Sequence, residues 1–199
     1  MIAAIVEGRG DQLALPRLIS QAFPKVPAFR CVSLDGKSNI VRLKNGFEET
    51  VLRQRKLGSR SFLVLMDADR FFPPYSSLEE ERSGMEARAR RLEEEKRLKV
   101  RVCWAVLAFE SWLIGGLTEG RGICGLRQRF GRVPADTQAE PQDPKLWIDR
   151  KLKRGEYSPG VQECLAANID VDQAKQRNRS LDTFLAEFPQ FVTVQRAKS

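Results

Sequence analysis

Asp67 and Asp69 follow the apolar run Ser61-Phe62-Leu63-Val64-Leu65-Met66, so a buried strand delivers two carboxylates at its C-terminal end. The run Ile2-Ala3-Ala4-Ile5-Val6 ends the same way, in Glu7-Gly8-Arg9-Gly10-Asp11, and Val100 to Phe109 leads into Glu110. Ligands of α/β sheets bind at the carboxyl ends of the strands, which is where these acids fall. Residues i and i+2 of a strand share a face about 7 Å apart, with the next strand about 4.8 Å away. Asp67 and Asp69 can therefore flank an ion with Glu7 beside them, and Asp11 and Glu110 at the same rim. Five carboxylates so close raise each other's pKa. One or two divalent ions relieve that repulsion, activate water and stabilise a leaving oxygen. Each acid also has a plainer reading. Asp11 can cap a helix, and Glu110 can pair with Arg70, Arg101 or Lys145.

The 199 residues include no histidine, which excludes His-based triads and imidazole-bound zinc. Oxygen donors alone suit magnesium, manganese or calcium. The chain carries 34 basic and 26 acidic side chains. With the five candidate ligands set aside, 21 acids face 34 bases, a surface near +13 that suits a polyanion such as nucleic acid. Cys31, Cys103, Cys124 and Cys164 are scattered and form no CxxC pair. They read as reduced, mostly buried thiols of a cytoplasmic protein. No apolar stretch approaches the roughly 20 residues of a membrane span, and the N-terminal run reads as a strand, not a signal peptide.

The elements that must position these residues alternate. After the first strand, Leu15, Leu18, Ile19 and Ala22 have helical spacing, with Pro16 limiting where that helix can start. Phe29 to Leu34 reads as a strand ending in Asp35-Gly36. Ser38 or Asn39 then caps a helix with the stripe Ile40, Leu43, Phe47, Val51 and Leu52, closed by Gly58. Phe71 to Ser77 is a loop, and Glu79 to Lys99 a long, mostly solvated helix with i,i+4 pairs among Glu81, Glu86, Arg90 and Glu94. The pattern predicts an α/β fold: a mostly parallel four-stranded sheet with helices on both faces. Residues 118–143 look irregular. Asp143 and Pro144 start a helix, and shorter ones cover 159–168, 171–177 and 181–187, with a frayed end after Val194. We read residues 1–117 as the catalytic core and 118–199 as a helical C-terminal extension packed on it.

Val6-Glu7-Gly8 at the first strand end, with Asp67-Ala68-Asp69 at a later one, resembles the Toprim domain. That Rossmann-like fold is shared by topoisomerases, bacterial primases, recombination-repair proteins and nucleases of the "overcoming lysogenization defect" type. With Ala108-Phe109-Glu110-Ser111-Trp112-Leu113, Asp143-Pro144-Lys145-Leu146-Trp147 and Ser180-Leu181-Asp182-Thr183-Phe184, the chain is similar to a Toprim-like bacterial and archaeal family of unknown function. Members of that family often neighbour predicted ATPases. The resemblance implies Mg²⁺ or Mn²⁺ on Glu7, Asp67 and Asp69, and a metal role for Asp11. Glu110 would be a further ligand or general base, and Lys145 a transition-state stabiliser, although Lys145 can equally pair with Asp143 or Glu110. It also implies a nuclease, with DNA ahead of RNA as substrate, a partner ATPase and a place in anti-phage defence. Trp112 and Trp147 read as core packing. Tyr75 and Tyr157 are the only tyrosines, and a chain this short has no room for topoisomerase architecture.

Two other classes stay open. One is a non-catalytic, metal- or nucleotide-binding regulatory subunit of an ATPase complex; the chain itself has no Gly-x-x-x-x-Gly-Lys-Ser/Thr loop. The other is a haloacid-dehalogenase-type phosphotransferase with Asp67 as nucleophile. There Thr or Val usually follows the second Asp, where Arg70 stands here, and the nucleophile ends the first strand, which here ends in Glu7.

Overall fold

The computed structural model describes residues 1–26, 29–44, 46–153 and 155–193. The first half alternates as β1 (Ile2–Val6), α1 (Arg9–Ala22), β2 (Phe29–Ser33), α2 (Lys37–Val41), α3 (Phe47–Lys56), β3 (Ser61–Ala68), α4 (Leu78–Lys96) and β4 (Lys99–Val106). Helices follow: α5 (Phe109–Gly115), α6 (Pro144–Lys151), α7 (Pro159–Asn168), α8 (Val171–Arg177) and α9 (Arg179–Thr193). The four strands form one all-parallel sheet in the order β2-β1-β3-β4, the predicted α/β architecture. β1 and β3 are buried at every position because helices cover both faces.

Alternation along the strands divides the core. Ile2, Ala4, Val6, Leu63 and Leu65 pack with α1 and the helices after β4. Ala3, Ile5, Phe62, Val64 and Met66 pack with α2, α3 and α4. Leu126, Phe130, Ile148, Leu165 and Phe184, all from beyond residue 118, belong to the first of these clusters. Trp112 is fully buried and stacks on Phe184, as a core residue should. Asp143 caps α6 by accepting from the Leu146 N–H at 2.8 Å, with Pro144 in the first turn. Among the described residues no helix is long and apolar enough to cross a membrane.

Several expectations need correction. The helix predicted from Ser38 onward is two helices, and Leu43 is exposed between them. The Arg88 guanidinium takes the Val41 and Arg42 carbonyls at 2.6 and 2.7 Å, ending α2, while pairing with Glu48 of α3. Gly46 lets α3 begin hard against that end, since a Cβ there would sit 2.2 Å from the Arg42 oxygen. α4 is mostly solvated, as expected, but one stripe of it, Glu81, Met85, Arg88, Ala89 and Leu92, is buried. Pro16 does not delay α1, which starts at Arg9 and carries the proline inside. The fourth strand stops at Val106, Leu107 takes φ +65°, and Glu110 lies in a helical first turn instead of at a strand end.

The cysteine reading also fails in part. Cys124 and Cys164 form a disulfide, with Cα atoms 5.6 Å apart. It ties the irregular 118–126 stretch to α7, a proximity that a sequence separation of 40 conceals. Cys31 and Cys103 are free and partly buried. The end after Val194 lies outside the described residues.

Candidate metal centre

The site is assembled at the carboxyl edge of β1 and β3. Register pairs Ile5 with Val64, so Glu7 just past β1 comes level with the end of β3. There Glu7 Oε1 accepts from the Asp67 backbone N–H at 2.7 Å. The Glu7 carbonyl in turn accepts from the Gly36 N–H at 2.7 Å and the Ser33 hydroxyl at 3.2 Å. Asp67 is buried, and its Oδ1 accepts from the Phe109 N–H at 2.9 Å, joining β3 to the start of α5. That bond brings in Glu110, the next residue of the same first turn.

Glu110 is 1% exposed. Its Oε1 accepts from the Tyr157 hydroxyl at 3.1 Å and lies 3.8 Å from Lys145 Nζ, while Oε2 is buried without a hydrogen-bond partner. Asp11 accepts from the Gly8 N–H at 3.0 Å on one oxygen and from Gln162 Nε2 at 2.7 Å on the other. Gly10 makes the second bond feasible, since a Cβ there would meet Gln162 Oε1 at 1.8 Å. The helix-cap reading of Asp11 and the ion-pair reading of Lys145 with Glu110 both describe contacts that exist. They accompany the clustering and do not replace it.

Asp69 stands apart. β3 ends at Ala68, so Asp69 does not continue the strand beside Asp67. Its side chain is 43% exposed and lies 3.9 Å from Lys37 Nζ and 3.7 Å from Arg70 Nε. Glu7 still feels its charge.

Burial pushes the Glu7 carboxyl up to about 7, with Asp11 and Asp69 adding to the rise against the Asp67 hydrogen bond and Lys37. Glu110 also rises to about 7, through burial and then Asp11, against Lys145. Asp11 is raised by burial. Asp67 is raised well above the ordinary aspartate range, by burial and then by Glu7, Asp11 and Glu110. Burial opposes the Lys145 ammonium, but Glu110, Asp67, Asp11 and Glu7 more than offset it, so its pKa rises. Burial and Glu110 raise Tyr157, which stays a hydrogen-bond donor. Glu7, Asp11, Asp67, Glu110 and Lys145 therefore form one electrostatic unit.

Sequence reasoning missed the residues that hold this unit in place. Lys37 is 3% exposed. Its ammonium donates to the Asp67 carbonyl at 2.7 Å and to the Arg70 carbonyl, and pairs with Glu81 Oε1 at 2.8 Å. Glu81 Oε2 accepts from the Phe72 N–H, so α4 and α2 together brace the Asp67–Arg70 turn. Lys37 follows Asp35-Gly36 without any local sign of burial, and Glu81 sits in a charged run. Tyr157 and Gln162 come from a region whose sequence carries no motif for the site.

As the side chains stand, the described residues contain no group of three His, Cys, Asp or Glu that could hold a metal ion. The donor chemistry nevertheless fits a hard cation. Four acids, Asp67 and Glu110 buried and Glu7 and Asp11 half-buried, face one lysine, and Glu110 Oε2 has no hydrogen-bond partner.

No family model matches the sequence, and no curated protein does. Two solved structures are similar to the chain. The C-terminal region of the Burkholderia pseudomallei OLD protein matches with a TM-score of 0.46 and 14% identity, over 92% of this chain and 98% of that one. The C-terminal region of the Xanthomonas campestris pv. campestris OLD protein matches with a TM-score of 0.42 and 13% identity, over 95% and 97%.

Proposed function

We propose that the chain is a Mg²⁺- or Mn²⁺-dependent phosphodiesterase acting on nucleic acid, with DNA ahead of RNA. The observation that carries this reading is the carboxylate cluster Glu7, Asp11, Asp67 and Glu110, with Asp67 and Glu110 buried, Glu110 Oε2 without a hydrogen-bond partner, and the acids raising one another's pKa. Those four and Asp69 would hold one or two ions, which when bound supply an activated water and charge stabilisation at phosphate. The chain's own residues do the rest. Lys145, paired with Glu110 but 60% exposed along its side chain, is placed to meet a phosphate oxygen. Glu110 is the candidate base, with Tyr157 fixing one of its oxygens. Gln162 and Gly8 orient Asp11, and Lys37 holds the turn that presents Asp67 and Asp69.

Residues 1–117 are the catalytic core on this reading, and 118–199 an extension that lends it Lys145, Tyr157 and Gln162. The setting is the cytoplasm, with an ATPase partner and a role in anti-phage defence following from the motif resemblance. The test incubates purified protein with plasmid and Mg²⁺ or Mn²⁺ beside Asp67→Asn and Asp67→Ala. Metal-dependent cleavage by the parent alone is expected, and equal cleavage by all three would refute the site. Silence from all three, with the parent still inactive beside its ATPase, would favour the regulatory-subunit alternative.

A further inference from the structure

β4 is an outer strand of the sheet and its free edge forms the floor of a groove of about 560 Å³, walled by α4 on one side and α9 on the other. Open edges of this kind template pairing with another strand. The two ends of this edge are plugged from within the chain. The Val100 N–H donates to Glu93 Oε1 at 3.0 Å, and the Val106 N–H to Ser180 Oγ at 3.2 Å. Val102 and Trp104 share that outward parity, and no backbone partner beyond β3 takes them among the described residues. Arg82 Nε and Trp104 Nε1, both in the groove, are buried donors without a hydrogen-bond partner.

The walls say what covers the edge. Along α4 the charged groove residues are Arg82, Glu86, Arg90 and Glu93, alternating in sign, and along α9 the two charged ones, Arg179 and Glu187, stand either side of Thr183. None of the six charged residues forms an ion pair among the described residues. Laid antiparallel on itself, the first series sets Arg82 against Glu93 and Glu86 against Arg90. The second sets Arg179 against Glu187 and Thr183 against itself. Such self-complementarity is the mark of an isologous two-fold interface.

The three elements also agree on where the axis falls. Antiparallel pairing that joins Val102 to Trp104 of the second copy, and the reverse, centres on Cys103. Arg82 lies over the Trp104 ring and Glu93 holds Val100, so the middle of the α4 series stands near residue 102. Ser180 holds Val106 and Phe191 stacks with Lys99, so Thr183 stands near residue 104. α4 and α9 both lie against β4, so strands paired at about 4.8 Å bring each helix beside its counterpart across the axis.

We propose that the β4 edge is a homodimer interface, in which two copies pair β4 antiparallel about a two-fold at Cys103 to make a continuous eight-stranded sheet. Glu93 of the second copy then meets Arg82, whose Nε has no hydrogen-bond partner within one chain. The test is sedimentation of the full chain at about 100 µM, above the dissociation constants of specific dimers. The parent should sediment as a dimer. Arg90→Glu sets like charges together twice and should raise the dissociation constant roughly tenfold or more. Adding Glu86→Arg should restore the dimer, while circular dichroism shows all three folded. Non-hydrogen-bonded antiparallel pairs bring Cα atoms to about 4.5 Å. Oxidation or a short bis-maleimide should therefore link Cys103 across the axis in Cys31→Ser but not in Cys103→Ser. A monomeric parent, or a dimer indifferent to Arg90→Glu and without the Cys103 link, would overturn the proposal.

Discussion

The Asp67 N–H donates to Glu7 Oε1 at 2.7 Å, so the acid that ends β1 is oriented by the backbone of the strand carrying the next acid. The Glu7 carboxyl is thereby held at the end of β3, where its charge raises the cost of ionising Asp67. Removing the charge while keeping the acceptor separates the two roles. Glu7→Gln should fold, accept the same bond, and lose roughly 10²–10³-fold in metal-dependent cleavage, as expected when several kcal/mol of charge stabilisation is lost. Turnover at the parent's rate would remove Glu7 from the site.

The raised acids make the metal-free protein sensitive to pH. Glu7 and Glu110 titrate near 7 in the fold, against an ordinary glutamate value of 4.5. The native state therefore binds more protons than the unfolded chain between these values. Their contribution to stability is fully present below about pH 4.5 and is lost as pH rises through about 7. Thermal melts in chelator should give a Tm that falls from pH 5 to pH 8. Saturating Mn²⁺ should lift the high-pH arm most, because a cation favours the ionised acids. A flat Tm across this range would mean the acids are not buried together.

Lys37 and Glu81 form a buried ion pair beneath the Asp67–Arg70 turn. Removing one partner of such a pair leaves the other charged and unpaired, at about 3–5 kcal/mol. Lys37→Met should lose that much in urea melts, and Lys37→Met with Glu81→Gln appreciably less. Equal losses in the single and double variants would show that the pair is not coupled.

How far the sequence reached follows from what it encodes locally. Apolar runs ending in acids declared β1, β3 and the carboxyl edge, because strand burial and strand ends are written in consecutive residues. Asp143-Pro144 declared α6 by the same local logic. Lys37, Glu81 and Gln162 stayed hidden because their burial is conferred by other elements: α2 under the β3 turn, α4 over it, α7 against Gly10. The break at Gly46 depends on Arg88, some 40 residues away, reaching the Val41 carbonyl. Asp69 looked equivalent to Asp67 only while the strand was assumed to continue beyond Ala68.

The Cys124–Cys164 bridge closes a loop of 40 residues. Chain entropy alone assigns such a closure about 4 kcal/mol. Cys164→Ser and Cys124→Ser should each lower stability by roughly 2–4 kcal/mol, and neither should respond further to dithiothreitol. A parent whose urea midpoint ignores reductant would show that the bridge does not form.

Gly10 offers a test of whether the C-terminal extension serves the acids. Inside a helix, Gly→Ala ordinarily stabilises by about 1 kcal/mol. Here the new methyl would stand 1.8 Å from Gln162 Oε1, so the amide must swing away and release Asp11. The amide is the far end of a flexible side chain, which keeps the stability change small. Gly10→Ala should therefore leave the Tm within a few degrees of the parent but reduce cleavage by about 10–100-fold, the range for losing an outer partner of a ligand. Gln162→Ala should fall in the same range, and the double variant should be no worse than either single one, because both remove one contact. Additive losses would mean that Gly10 and Gln162 act on the site independently. Full activity in Gly10→Ala would mean that Asp11 needs no support from α7.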